Sequence, residues 1–507
     1  MTASLAITAV FVVAVSLRYG AQRLAGGAAV DQWYWRLYTK TVRSTGQFPP
    51  KLPQYLLDEH QWYPPVFPLI LCAMPAAVVR AGASLSIALD LARLGLLLFA
   101  ASYVGGGRIE ALIIAGLVYA TTPILVSYNS QLNPRALGAL FLDAIGVLWL
   151  LGAFSGAHPA MWAAAVCLAA AVLLTHKMTT QLMAVLWLAL GVARGGLVTW
   201  LALPAAVVLA WAVSGGFYGR VLRAHWDIVT FWNRNWRWLQ ANPVRESPIY
   251  GDAGYETPTR FYASGWPGVV RHVKYMFSFS PWAWLLPVAV LPIRPGIAGV
   301  VVCWGAAVLA FAVATIAVRP LRCLGSGYYY LYNAAFPVAL AWALHPPSTA
   351  ATAAVFAIAG LAALASIAAF LLRLSRLRKS PKADALAEVV TFLRAAPRGA
   401  VWCLPLLPSD RIACETDQPV LYGGHGYGFR LLEPIFPRIT VPVSTICQRY
   451  DVRYIVTVDG YLPAAIKTEL QIRESMRLGA YRILILAAVT KANTGHMVPC
   501  ADASTAR

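Results

Sequence analysis

Charge is scarce in this chain of 507 residues: only 12% are Asp, Glu, Lys or Arg, with 21 acidic residues against 41 basic ones. Soluble domains carry about a quarter of their residues as charge, so a wholly soluble fold is excluded. Cysteine is sparse too, eight in all, and no two form a C-x-x-C pair. Zinc ribbons and fingers are built from such pairs, so no zinc site is expected. No basic residue precedes the first apolar run, residues 2–17, where a secretory leader normally has one. Gly26 to Ala29 leave cleavage open, but the expectation is an uncleaved anchor. The glycines of 423–428 lack the G-x-G-x-x-G spacing of a nucleotide loop, which leaves a flexible loop able to overhang a neighbouring site.

Apolar sequence is abundant instead. Hydrophobic residues make up 59% of the chain, and mean hydropathy is +0.61. Runs long enough to cross a bilayer recur: after 2–17 they fall at 87–104, 109–126, 136–154, 160–174, 180–192, 198–213, 282–291, 297–316, 330–343 and 352–372. The fold class expected is therefore a polytopic α-helical membrane protein of about eleven transmembrane helices. Prolines punctuate the apolar run 67–79, which reads as a helix lying along the interface. This pattern leaves two long polar loops, 18–86 and 214–280, on one side of the membrane with the tail. The loops on the other side are short, and three of the five carry a lone Arg, which suits a cytoplasmic face. Arg373, Arg376, Arg378 and Lys379, just past the last run, count against that orientation.

Two domains follow: 1–375 in the membrane and 376–507 as a small extracytoplasmic α/β domain. In the latter 383–394 has a helical period, and 400–405, 453–458 and 482–486 read as strands. It holds Cys403, Cys414, Cys447 and Cys500, which an oxidising face would allow to form one or two disulfides. The net charge of +20 points to anionic partners, either membrane lipid headgroups or phosphorylated substrates. Nucleic acid fits poorly, because no basic soluble domain is large enough to carry that charge.

The first long loop concentrates unlike groups: Val30-Asp31-Gln32-Trp33-Tyr34-Trp35-Arg36, then Gly46-Gln47-Phe48-Pro49, then Asp58-Glu59-His60-Gln61-Trp62-Tyr63-Pro64-Pro65. On a helix Asp31, Tyr34, Trp35 and Tyr38 share one face, a carboxylate beside rings that suit a sugar. Arg36, Lys40 and Arg43 line another stripe able to meet phosphates. The plainer alternative is an interfacial amphipathic helix with snorkelling cations. Against it, a carboxylate is unwelcome at an anionic interface unless it has a task.

Asp31, then Gly46 with Phe48 and Pro49, then Tyr63-Pro64-Pro65, resembles the first outer loop of the GT-C superfamily of membrane glycosyltransferases. The nearest likeness is to the aminoarabinose-transferase and protein-mannosyltransferase branch. Further landmarks keep the same order. Arg93 stands where that branch has valine-arginine, Leu132-Asn133-Pro134 where it has Leu-Asp-Pro, and Thr175-His176-Lys177 where it has Thr-Lys-Gly. Ser280-Pro281-Trp282 with Leu285-Leu286-Pro287, and the aromatic-to-proline stretch 328–337, complete the series across residues 2–343. The sequence departs from the branch at Gln32 and Asn133, where it has acids.

The resemblance implies a multi-pass enzyme of the bacterial inner (plasma) membrane. It would move a sugar from a polyprenyl-phosphate donor to an acceptor hydroxyl on a glycan, lipid or protein, with inversion. Chemistry alone asks for a base for the acceptor and cations for the departing phosphate. Asp31 is the expected base. Lys177 and Arg93 are the first candidates for the phosphate, then Arg319 and Arg322, with His176, Asn133, Tyr34 and Trp35 completing the substrate site. With two acids missing, cofactor need is open. Asp58 and Glu59 are the candidate ligands should a divalent cation, Mg or Mn, be used. His225 and His272 have no partner pattern. The rival reading is a transporter or flippase of a lipid-linked or anionic substrate, for which Asp143, inside a span, would be the polar group to test. An inactive scaffold is a third.

Overall fold

The computed structural model describes residues 2–26, 30–57, 59–155, 158–194, 197–235, 266–291, 296–379, 381–404, 406, 408–424, 427–433, 435–436, 439, 441–459, 461–462 and 464–487. Among these, five helices are long and apolar enough to cross a membrane: Ala3–Ala25, Ala83–Val104, Arg135–Gly152, Ile297–Ala317 and Ala350–Arg378. Trp200–Val213 and Phe217–Arg234 pass that test together, but the chain bends by 113° between them. Gly215 and Gly216, both at positive φ, form the corner. Ile109–Ala120, Pro159–Leu173 and Pro281–Val290 are shorter apolar helices.

Proline breaks one of the eleven expected spans and the expected interfacial helix. The run 109–126 is two helices, Ile109–Ala120 and Pro123–Tyr128, because Pro123 has no N–H with which to continue the ladder. The run 67–79 is likewise split into Val66–Ala73 and Ala76–Ala81, with Pro75 at the joint.

The helix Leu331–Leu344 runs through the middle of the bundle, every residue from Leu331 to Ala343 buried. Beside it lies a closed set of charges. The Arg18 guanidinium meets Asp90 at 2.5 Å, Arg93 meets Asp143 at 2.7 Å, and Arg93 reaches back to Asp90 at 3.7 Å. The Tyr119 hydroxyl donates to Asp90 at 2.8 Å. All four ionised groups are fully buried. A lone charge in hydrocarbon is costly, while two cations against two anions cancel.

The long helix ends at Arg378, and Pro381–Ala395 leads into a four-stranded sheet. With β1 Ala400–Leu404, β2 Val452–Val458, β3 Ile472–Leu478 and β4 Tyr481–Leu486, the order is β1-β2-β4-β3. β1 and β2 are parallel; the other pairs are antiparallel. Leu478 pairs with Tyr481, so Gly479 and Ala480 form a two-residue hairpin loop, with Gly479 at φ 54° as such turns require. β3 was not expected from the sequence.

This tail is continuous with the first long loop rather than appended to the bundle. Leu56 and Leu57 donate backbone N–H groups to Val420 and Leu421 at 2.9 and 2.8 Å. Tyr34, Trp35, Leu37 and Tyr38 share one apolar core with Val389, Val401, Ile412 and Tyr454. Cys403, Cys414 and Cys447 are free thiols. Burial pushes Cys403 and Cys447 up to about 12. Cys500, like Asp58, lies outside the described residues.

Candidate active site

The helix Val30–Thr45 turns its aromatic face inward. Tyr34, Trp35 and Tyr38 are buried, and the Trp35 ring meets Tyr63 and Phe67 edge-on at 4.8 and 5.1 Å. That packing fixes the helix, and Asp31 in its first turn is carried to the wall of a cavity of about 320 Å³. This lies within the range of small-ligand sites. Trp35, Tyr63, Asn133, Arg135, His176, Lys177, His225 and Tyr329 also line it. Gly423, Gly424, Tyr427 and Phe429 of the tail close it over.

The loop between Tyr128 and Arg135 supplies one wall. Gln131 donates to Asp31 at 3.4 Å. Asn133 is committed to the loop itself: its side-chain N–H group donates to the Tyr128 and Gln131 carbonyls, and its Oδ1 accepts from the Arg135 N–H. Ser86 clamps the same residue, accepting from its N–H at 3.0 Å. Arg135, opening the next helix, lies against the faces of Tyr128 and Tyr329 at 4.6 and 4.9 Å. Its Nε and Nη1 are buried and make no hydrogen bond. A buried guanidinium left in that state is costly, and an anion in the cavity would satisfy it.

Opposite stands Lys177 at the head of its helix, outside the apolar stretch. Burial brings its ammonium down to about 8, so it remains largely charged at neutral pH. His176 bonds through Nδ1 to the Thr179 hydroxyl at 2.9 Å. Burial, then the charges of Arg135, His225 and Lys177, hold it well below the usual histidine range. Burial and Lys177 lower His225 to about 3. Both rings are therefore neutral hydrogen-bonding groups. Burial raises the Tyr63 and Tyr329 phenols far above their ordinary value, and Asp31 adds to both rises.

Among the expected site residues, the structure thus brings Asp31, Trp35, Asn133, His176 and Lys177 to one cavity. Tyr34 stands behind the wall and donates to Gln61 at 2.8 Å. Arg93 does not reach the cavity: it is fully buried in the bundle, held by Asp143 and Asp90. Asp143, for its part, is an ion-pair partner rather than an isolated polar group. Arg319 and Arg322 lie outside the lining, which their segment supplies through Cys323 to Ser326. The Arg322 guanidinium donates to the Ile316 carbonyl at 2.8 Å. Arg135 and His225 are lining residues that the sequence reading did not select. The position of Arg135, two residues after Asn133 in the matched motif, was the available signal.

Among the described residues few groups are on hand for a divalent cation. Among the described residues Asp31 is the one carboxylate of the lining, and the charge of Arg135 acts on it. No three His, Cys, Asp or Glu side chains cluster there or elsewhere among them. Glu59 is taken by the Arg430 guanidinium, whose Nε lies at 3.0 Å. The expected loop 423–428 is held in its described part: the Gly424 N–H donates to Asp410 at 3.0 Å. A side chain on Gly423 would come within 2.3 Å of Asp410 Oδ1 and 2.6 Å of the Tyr55 ring.

Solved structures share this architecture. The chain is similar to ArnT from Cupriavidus metallidurans bound to undecaprenyl phosphate, with 13% identity, 95% of this chain and 98% of that one covered, and a TM-score of 0.58. The apo state of the same protein aligns at 14% identity over 94% and 98%, with a TM-score of 0.57. An Archaeoglobus fulgidus oligosaccharyltransferase in complex with Zn and sulfate aligns at 13% identity over 89% and 68%, with a TM-score of 0.50. No family model and no curated protein matches the sequence. The chain shares the fold of these structures, a polytopic helical bundle with a small C-terminal sheet region.

Proposed function

We propose that this protein is an inverting glycosyltransferase of the GT-C type. It takes a sugar from a polyprenyl-phosphate donor at the extracytoplasmic face and joins it to an acceptor hydroxyl. The observation that carries this reading is Asp31 in one cavity with Lys177 and with Arg135, whose Nε and Nη1 make no hydrogen bond. Lys177 and Arg135 hold the donor's phosphate by charge-assisted hydrogen bonds. Trp35 and the tyrosines give the sugar ring apolar faces. Asp31 takes the acceptor's proton as its oxygen attacks the anomeric carbon, and the bond to phosphate breaks. Phosphate leaves readily, so no paired acid is needed. A retaining route needs a second carboxylate beside the first, whereas this lining carries one among the described residues. Asp31 acts as base without a metal in this reading, so chelation of divalent cations should leave transfer unchanged.

The test is purified protein with a synthetic polyprenyl-phosphate sugar and a native membrane lipid extract as acceptor. A general base contributes about 10²–10⁴ in rate, so Asp31→Asn should lower kcat by that factor while donor affinity persists. Wild-type protein that moves the lipid between leaflets without forming a glycosidic bond would overturn the reading in favour of a transporter. An Asn variant at full rate would remove Asp31 as base.

A further inference from the structure

The cavity that holds Asp31 has a wall with no part in the transfer chemistry above. His225, Ile228 and Trp232 of the helix Phe217–Arg234 line it, and their spacing of three and seven residues sets them on one face. Arg220, Arg223 and Arg234 fall on the exposed side of the same helix. Both ends are anchored. Tyr218 and Val221 are buried just after the glycine corner, and at the far end Phe231 stacks on Phe436 while Arg234 pairs with Glu433. The three side chains are therefore held towards the cavity by a fixed element.

The tail completes this wall. Phe429, Leu432 and Phe436 line the cavity too, and the Trp232 ring meets Phe436 edge-on at 5.9 Å and lies 6.3 Å from Phe429. The result is an apolar, aromatic surface with one polar ring, His225, within electrostatic reach of Lys177. The other neutral groups of the lining are engaged: His176 with Thr179, and Asn133 with its own loop. No hydrogen bond holds the His225 ring among the described residues, and part of its surface is open. A sugar ring presents matching surfaces, with apolar C–H faces and hydroxyls at its edge. Aromatic rings cover the first, and a neutral imidazole has one donor and one acceptor for the second.

We infer that the helix Phe217–Arg234 reads the sugar of the lipid-linked donor: His225 hydrogen-bonds one of its hydroxyls, and Trp232 covers an apolar face. This rests on the glycosyltransferase reading for the identity of the donor, but not for the sugar binding itself. Selection of the sugar then belongs to the second long loop and the tail, while Lys177 and Arg135 hold the phosphate whatever sugar it carries. His225 beside Lys177 suits that division, because the sugar is bonded directly to the phosphate.

Binding and transfer test it. Full-length protein is titrated with bare polyprenyl phosphate and with polyprenyl-phosphate glucose, mannose and galactose, and bound lipid is read by native mass spectrometry. Wild type should hold at least one sugar-bearing lipid about tenfold tighter than the bare one. His225→Ala should erase that preference and leave the Kd of bare polyprenyl phosphate unchanged. His225→Asn keeps a donor and an acceptor and should restore much of the preference. Wild type that holds no sugar-bearing lipid tighter than the bare one, or an Ala variant with the full preference, would overturn the inference. So would an Ala variant that loses bare polyprenyl phosphate, since His225 would then serve the phosphate or the fold. Transfer from the preferred donor into native lipid extract separates this inference from the enzyme reading. A preference that depends on His225, without product, leaves the sugar site standing and the enzyme reading refuted. Product from His225→Ala at the wild-type donor KM refutes the sugar site alone.

Discussion

Lys177 is the residue on which the pH behaviour of the site turns. Its ammonium titrates at about 8, so the charge is present below that pH and lost as pH rises through it. Donor binding should follow: KM for the polyprenyl-phosphate sugar is expected to be flat up to neutrality and to climb above about pH 8. Lys177→Arg keeps its charge at any such pH and should abolish the climb. A climb that survives in the Arg variant would place the titrating group elsewhere. His176 and His225 are both neutral, His225 titrating only at about 3, so neither should add an acid limb. Arg135 is the stronger phosphate candidate by geometry, because its Nε and Nη1 have no hydrogen-bond partner. Arg135→Gln should raise donor KM by tenfold or more, since a hydrogen bond to a charged group contributes about 1.5–3 kcal/mol. Unaltered donor kinetics would exclude it. Asp31 and Lys177 were legible because each stood in a matched motif. Arg135 was not, because an Arg opening an apolar helix reads equally well as a snorkelling cation.

At the scale of helices, Arg93 shows what position along the sequence leaves out. From the sequence it sat near a span end beside the expected site. Its partner Asp143 is 50 residues away, on a different helix, and pairing across helices leaves no local pattern to read. The two residues join Ala83–Val104 to the helix that starts at Arg135, so their effect should be on stability. Asp143→Asn leaves a buried guanidinium with only Asp90, at 3.7 Å. Breaking a buried pair from one side costs about 3–5 kcal/mol, expected as a clear fall in Tm in detergent. The double change Arg93→Met with Asp143→Leu removes both charges and should recover much of that loss. Equal Tm values for wild type and Asp143→Asn would show that the pair is not holding the helices together. Hydropathy marks where apolar helices lie, but not where a proline inside a run breaks them. Strand β3 escaped notice for a different reason. It is an edge strand whose exposed Arg473, Glu474 and Ser475 hide the alternation, and the hydrophobic pattern that marks a strand comes from burial.

Taken whole, the molecule joins three distant stretches of sequence at one end of the bundle: 30–57, the helix Phe217–Arg234 and the tail. Arg234 pairs with Glu433 at 3.0 Å, and Phe231 stacks parallel to Phe436 at 6.2 Å. The alternation of long and short loops showed that these stretches share a side, but not that they share a core, since that depends on long-range packing. A consequence is that side and site are tied: whichever face holds the tail also holds Asp31. The proposal places that face outside the cytoplasm, and the basic residues after the last long helix argue the other way. Labelling decides between them. Arg473 is exposed on the edge strand, so Arg473→Cys is a suitable reporter in a chain whose exposed Cys167 and Cys303 are changed to Ser. An impermeant maleimide should modify it in intact cells as fully as in opened ones. Modification only after the membrane is breached would put the tail, the cavity and Asp31 on the cytoplasmic side, and the donor would then have to be one presented on that leaflet.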